Sequence, residues 1–299
     1  MFLKRKKHLV EIGCDRIVRL DNVDLHLVEA GRAGQPPVLL LHGFPEFWWA
    51  WRNQIPSLAE AGLHVAAMDM RGYGRSDTPS GVKSVQLEAL VGDVVALLEK
   101  MGWARIRVVG HDWGGIVAWT LAARYPHLVD RLVIVNAPHL DVMPEVLLRR
   151  PGQILRSSYI GFFQLPLVPE AVLSAGRHKL LRHALVSTSR AGTFSPEDLD
   201  RYAAEWARPG RLNTMINYYR ALLRYPQKRL GKISVQTLIL WGRRDHALDE
   251  FLADASLLQC DNGVVRYHDH ATHWIHLEEP AWVSEKLIEF LQPDRMKAS

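Results

Sequence analysis

The chain has 299 residues, 48% hydrophobic and 23% charged, with a formal charge of +5 and a sequence pI of about 9.2. These proportions exclude a disordered chain and leave ample material for a large core. No run of about 18 apolar residues offers a membrane span, and Cys14 and Cys260 are too few for a disulfide framework.

The basic run Lys4-Arg5-Lys6-Lys7 reads as a solvated tail, because no apolar segment follows it as a signal peptide would require. Scattered basic residues elsewhere speak against a nucleic-acid partner, and a cytoplasmic location is expected.

Alternation marks two N-terminal strands, Asp15–Leu20 and Val23–Val28, joined at Asp21-Asn22. Pro37–Leu41 is a continuous apolar run ending in His42-Gly43, the pattern of a buried parallel strand. An amphipathic stretch at Gln54–Ala61 precedes a strand at His64–Met68 and a turn at Arg71–Ser76. A helix is predicted over Val85–Met101, then a strand at Ile106–Val109, a sharp turn, a helix to about Tyr125 and a strand at Arg131–Asn136. This alternation specifies a mostly parallel sheet with helices on both faces. From Pro138 to Arg229 buried strands disappear, and amphipathic segments are punctuated by seven further prolines. The sheet resumes at Val235–Gly242 and Val264–Tyr267. A helix through Trp282–Leu291 follows, and Asp294–Ser299 reads as a frayed tail. The expected organisation is an α/β core, residues 1–138 and 230–299, enclosing a helical cap at residues 139–229.

Residues 107–117 read Arg-Val-Val-Gly-His-Asp-Trp-Gly-Gly-Ile-Val. Asp112 occupies the nucleophile position of a G-x-nucleophile-x-G elbow between strand and helix, with Gly110 and Gly114 supplying the room that a strained turn needs. Its bland alternative is a capping Asp at a helix start. A carboxylate there attacks carbon and forms an alkyl ester, which points to an epoxide or alkyl halide and away from ordinary esters. In this arrangement the acid and base follow in chain order. Asp245 stands just past the end of a predicted strand, and His273 precedes the last helix. His273 would activate the water that cleaves the ester, and Asp245 would fix its tautomer, with Asp249 a competing acid. Backbone N–H groups of Phe44 and Trp113 would form the oxyanion hole. The histidines 268, 270, 273 and 276 invite a metal reading, but they lack an H-E-x-x-H motif or a helical i, i+4 pair. No metal is expected there, and the histidines other than His273 are read as loop or surface residues. Gly72-Tyr-Gly74 is too sparse for a nucleotide fingerprint, and no cofactor is expected.

Together, His42-Gly-Phe-Pro-Glu46, Arg71-Gly-Tyr-Gly74-x-Ser76, Gly110-His-Asp-Trp-Gly-Gly115, Trp241-Gly-x-x-Asp245 and His273-Trp274 resemble the epoxide hydrolases of the α/β-hydrolase superfamily over residues 15 to 292. The resemblance implies the α/β-hydrolase fold, with Asp112, Asp245 and His273 as triad. It also implies two cap tyrosines that hydrogen-bond the epoxide oxygen. Ser158-Tyr159 and Asn217-Tyr218-Tyr219-Arg220 resemble their segments, which points to Tyr159 and Tyr219, with Tyr218 as rival. His42, Pro45 and Phe163 are expected to touch a small apolar epoxide, water being the second reactant. Trp48, Trp49, Trp51, Phe162 and Leu165 are either pocket or core. A haloalkane or haloacetate dehalogenase on the same scaffold, with Trp113 cradling halide, is the first alternative, and a non-catalytic ligand-binding homologue the second. Monomer and homodimer both remain open.

Overall fold

The computed structural model describes residues 12–292; the Lys4–Lys7 run and the Asp294–Ser299 tail lie outside the described residues. Eight strands form one sheet: β1 (Cys14–Arg19), β2 (Asp24–Ala30), β3 (Pro37–Leu41), β4 (His64–Met68), β5 (Ile106–His111), β6 (Val129–Val135), β7 (Thr237–Gly242) and β8 (Gly263–His268), in the spatial order β1-β2-β4-β3-β5-β6-β7-β8. β1 and β2 form an antiparallel hairpin whose second strand also pairs antiparallel with β4, and the remaining pairs are parallel.

The central strands are largely apolar because both faces are covered, with charged residues confined to their starts, as at Arg107 in β5 and Asp130-Arg131 in β6. In β3, Leu39 and Leu41 enter one core with Ala66, Val108 and Leu132, while Val38 and Leu40 enter the other with Val65, Ala67, Val109 and Val133. This follows from successive side chains pointing to opposite faces of a strand. Helices α1 (Gln54–Glu60), α2 (Leu87–Met101) and α3 (Trp113–Arg124) flank the sheet. In α2 the buried residues Leu87, Leu90, Val91, Val94, Leu97 and Leu98 recur at helical spacing. The helix starts at Leu87 rather than Val85, because Val82–Val85 forms a short 3-10 turn.

Between β6 and β7 the described chain is helical: α4 (Met143–Arg149), α5 (Pro151–Arg156), α6 (Ser158–Phe163), α7 (Val168–Thr188), α8 (Pro196–Trp206) and α9 (Arg211–Arg224). Proline at or beside the first helical position opens α4, α5, α7 and α8, where no N–H is missed. A capping box between Ser195 and Asp198 fixes the start of α8. Helix α7 is broken at Ala175–His178, with Gly176, Arg177 and His178 at positive φ. Specific bonds tie this layer to the sheet side. Trp206 donates its indole N–H to the Pro45 carbonyl at 2.7 Å, and Trp49 donates to Asp198 at 2.8 Å. Three further helices follow among the described residues, α10 (Phe251–Leu257), α11 (Ile275–Glu278) and α12 (Pro280–Leu291). No helix among the described residues is long and apolar enough to cross a membrane.

Candidate active site

Asp112 lies in the tight turn between β5 and α3, with φ 49° and ψ −118°. That left-handed backbone is costly for a non-glycine residue, by roughly 1–3 kcal/mol. Dense surroundings enforce it. A Cβ on Gly114 would lie 2.3 Å from the Leu41 carbonyl oxygen, and one on Gly43 would lie 2.4 Å from Asp112 Cβ. The close packing presents the carboxylate at the strand ends, half-way between two sets of partners. Phe44, after β3, donates its backbone N–H to Asp112 Oδ1 at 2.8 Å, while Oδ2 faces His273 Nε2 at 3.8 Å. Trp113 is the first residue of α3. Its ring packs edge-to-face on Tyr218 and Tyr219 and takes no part in the cavity wall.

His273 Nδ1 bonds Asp245 Oδ2 at 2.7 Å. The competing acid, Asp249, instead accepts the Phe251 N–H at 3.0 Å. Asp245 is saturated as an acceptor: Oδ1 takes the backbone N–H groups of Ala247 and Leu248 at 2.7 and 2.9 Å, and Oδ2 also takes Asn136 Nδ2 at 2.7 Å. Burial would raise the Asp245 pKa, but the His273 ring and these donors hold it below the ordinary carboxylate range. Burial alone would likewise push the His273 imidazolium down. The Asp245 carboxylate outweighs that effect, with Asp112 and Glu46 adding to it, and the pKa rises to about 9.

Tyr159 from α6 and Tyr219 from α9 face Asp112 across a cavity of about 230 Å³, their rings 5.6 Å apart. Burial, reinforced by the Asp112 charge, pushes both phenols above their ordinary range, so both are neutral donors. The adjacent Tyr218 points elsewhere, donating to the Arg71 carbonyl at 2.7 Å.

The expected substrate contacts divide. Pro45 lines the cavity, together with Phe44, Leu181, Leu185 and Trp274. His42 does not: it is fully buried, with Nδ1 2.9 Å from the Gly43 carbonyl oxygen and Nε2 accepting the Met70 N–H at 3.1 Å. Its ring orders the loop beneath Asp112. Phe163 packs behind the site, against Phe44, Tyr159 and Tyr219. Trp51 is core, Leu165 is exposed, and neither Trp48, Trp49 nor Phe162 lines the cavity.

A buried cluster beneath His273 escaped the sequence reading. Glu46 Oε2 meets His111 Nδ1 at 2.9 Å, and Oε1 meets His276 Nε2 at 3.3 Å and the Tyr202 hydroxyl at 3.4 Å. Burial opposes the Glu46 charge, yet His276 and His111 hold its pKa well below the usual range. The other nitrogen of His111 reaches the His273 carbonyl oxygen at 3.0 Å, so both nitrogens face oxygen acceptors. His276, expected in a loop or at the surface, is instead wholly buried in α11 because its ring packs against Trp51 and His111. Ligand atoms of Glu46, His111 and His276 lie within 4.8 Å of one another, close enough for a cation. The short contacts already pair donors with the Glu46 acceptor, which describes a hydrogen-bonded cluster around one buried carboxylate. His268 ends β8 and His270 is exposed. Asn136 was legible only as a strand end. Its amide bridges the Gly242 N–H, at 3.0 Å, to Asp245.

Comparison with known proteins identifies the family of the chain. The α/β-hydrolase fold family matches residues 36–280. AB hydrolase superfamily protein YfhM of Bacillus subtilis is 40% identical over 280 residues, covering 93% of this chain and 97% of that protein. Epoxide hydrolase 4 of Homo sapiens is 35% identical over 294 residues, covering 96% and 81%. The crystal structure of epoxide hydrolase A from Mycobacterium thermoresistibile superposes with a TM-score of 0.81 at 30% identity, covering 93% of this chain and 98% of that one. The chain therefore belongs to the α/β-hydrolase family, among the relatives that include the epoxide hydrolases.

Proposed function

We propose that this protein hydrolyses epoxides to vicinal diols in two steps, with the helical layer between β6 and β7 acting as a cap. In the first, one Asp112 carboxylate oxygen attacks an epoxide carbon and the C–O bond breaks. The oxygen leaves as an alkoxide still attached to the substrate, and Tyr159 and Tyr219 hydrogen-bond it as it develops charge. In the second, His273 takes a proton from water, the resulting hydroxide attacks the carbonyl carbon of the Asp112 ester, and the tetrahedral intermediate collapses with cleavage of the acyl C–O bond. The two protons of that water, one of them carried by His273, end on the two substrate oxygens, releasing the diol and restoring the Asp112 carboxylate. Asp245 stabilises the imidazolium that forms, and the Phe44 N–H, joined in this reading by that of Trp113, stabilises the tetrahedral oxyanion. Alkylation removes the Asp112 charge and with it part of what holds the His273 pKa high, so the base is released to act when its substrate is in place.

The observation that carries the reading is the pair of neutral phenols, Tyr159 and Tyr219, facing a carboxylate nucleophile across one cavity. A departing halide requires N–H donors, and the Trp113 indole is buried between Tyr218 and Tyr219, which speaks against the dehalogenase alternative. Relatives named as epoxide hydrolases support the same assignment. The test is a single turnover of a neutral aryl epoxide in heavy-oxygen water. The first diol released should contain unlabelled oxygen drawn from Asp112, with label appearing in the protein. Label found directly in that diol overturns the mechanism.

A further inference from the structure

Apolar side chains in solvent are ordinary when scattered, but in this protein they are gathered. Of the twelve large apolar side chains exposed among the described residues, nine lie between Leu148 and Val186, on α4, α5, α7 and the turn before α7. Helix α5 inverts the usual partition. It buries Gln153, whose amide donates to the Ala247 carbonyl at 2.8 Å, and leaves Ile154 and Leu155 in solvent, Leu155 77% exposed. Leu167 is 78% exposed on left-handed backbone, φ 62°, a conformation that asparagine or glycine adopts at less cost. Neither packing nor backbone geometry within the described chain accounts for a leucine there. Helix α7 shows the same division. Its second half turns Leu181 and Leu185 inward, where they line the cavity over Asp112, and leaves Leu180 and Val186 outside. The exposed side chains therefore share a helix with the cavity wall.

The charge on this stretch has one sign. From Met143 to Thr188 stand Arg149, Arg150, Arg156, Arg177, Lys179 and Arg182 against Glu145 and Glu170, a net +4 of the +5 carried by the whole chain. Glu170 is engaged by Arg220 of α9 at 2.5 Å, and Glu145 by Arg149 at 3.0 Å. Arg182 meets Asp200 of α8 at 2.8 Å, while Arg177 and Lys179, both exposed, have no carboxylate partner among the described residues.

We infer that the outer face of α4, α5 and α7 docks on an anionic lipid surface. Its leucines and valines enter the boundary between headgroups and acyl chains, and Arg149, Arg177 and Lys179 meet the headgroup phosphates. Apolar area to bury, set among cations that attract, is what such a surface recognises. A second copy of the chain is the poorer occupant, because a two-fold contact through this face sets like charge against like. The residues before the described chain include Lys4–Lys7 and add the same sign. With the protein seated this way, the α7 wall of the cavity lies next to the lipid.

The test is sedimentation of the full chain with vesicles of phosphatidylcholine alone and of phosphatidylcholine with about a third phosphatidylglycerol. The mixed vesicles should bind at least about tenfold more tightly, and high ionic strength should weaken that binding. Arg149→Glu with Lys179→Glu should abolish the preference for phosphatidylglycerol. Leu155→Gln with Leu167→Asn should lower affinity for the mixed vesicles by about tenfold or more. All four positions are at the surface, so the thermal unfolding midpoint should stay with the parent's, and Lys179→Gln and Leu155→Ser supply the same readings should either double variant fold poorly. Sedimentation velocity without lipid reads the rival occupant. The inference is overturned by absence of binding to the mixed vesicles, by binding that both double variants retain (as when Lys4–Lys7 alone hold the lipid), or by a dimer of the full chain that the leucine variant dissociates. None of these outcomes bears on the chemistry proposed at Asp112.

Discussion

Replacing Asp245 with Asn isolates the second half of the proposed reaction. The amide cannot reproduce the four hydrogen bonds that Asp245 accepts. If its oxygen keeps the Ala247 and Leu248 N–H groups, its NH2 must face the Asn136 amide nitrogen and His273 Nδ1. Asn136 cannot rotate to help, because its oxygen is held by the Gly242 N–H. The amide NH2 then donates to His273 Nδ1 and selects the tautomer with hydrogen on Nε2, which cannot accept a proton from water. The charge is lost as well. The displacement of the His273 pKa from 6.5 to about 9 corresponds to about 3 kcal/mol in favour of the imidazolium, and Asp245 is the largest contributor opposing burial. We therefore expect Asp245→Asn to lower kcat by ~10²–10⁴. The acid limb of the kcat–pH profile should move to lower pH, because without Asp245 the burial that depresses the ring prevails. Alkylation needs Asp112 and the tyrosines but not a basic His273, so the alkyl ester should accumulate. Intact-protein mass spectrometry after mixing with epoxide, beside stopped-time diol assays, reads both effects. A kcat within about tenfold of the parent protein, or a deep loss with no adduct on Asp112, refutes the reasoning.

The tyrosines should act on the other half. Combined Tyr159→Phe and Tyr219→Phe should slow adduct formation by at least ~10²-fold in single-turnover mass spectrometry. Tyr218→Phe, which loses only the bond to the Arg71 carbonyl, should cost about 1 kcal/mol of stability in urea unfolding and leave the adduct rate little changed. Glu46→Ala should destabilise the fold by roughly 3–5 kcal/mol, because it strips a buried cluster of its anion and leaves His111 and His276 facing each other at 4.2 Å. Equilibrium unfolding by urea measures that loss, and a change below about 1 kcal/mol would mean the cluster is held by packing alone.

The readability of each feature in the sequence follows from how local its cause is. The elbow at Asp112 is written in one short stretch, since the glycines that permit the turn stand two residues to either side of it. Asp245 and His273 are likewise signalled by their places after strands, and the alternation of β3 through β6 announces the parallel sheet. Tyr218 and Tyr219 could not be separated by chemistry. On a helix they diverge by about 100°, and only the packing of α9 decides which one meets the cavity. The Glu46–His111–His276 cluster joins three distant segments, and nothing in a one-turn helix such as α11 signals that its His276 faces inward. Asn136 acts through β7, its neighbour in space but not in sequence. His42 was misleading for a related reason. Its motif sits beside the site, but its ring turns below it to hold the Met70 backbone.

The origin of the two groups of side chains has a consequence of its own. Asp112, Asp245, His273 and the Phe44 N–H all belong to the sheet and its loops, whereas Tyr159 and Tyr219 both belong to the helices between β6 and β7. Under the proposed chemistry, opening a bond in the substrate requires both parts in register, but clearing the resulting ester requires only the sheet side. Sequence drift in those helices can thus alter which molecules are accepted and how their leaving atom is handled, without disturbing the apparatus that regenerates the nucleophile. Such drift can also leave a protein that still turns over its ester once formed but no longer forms it.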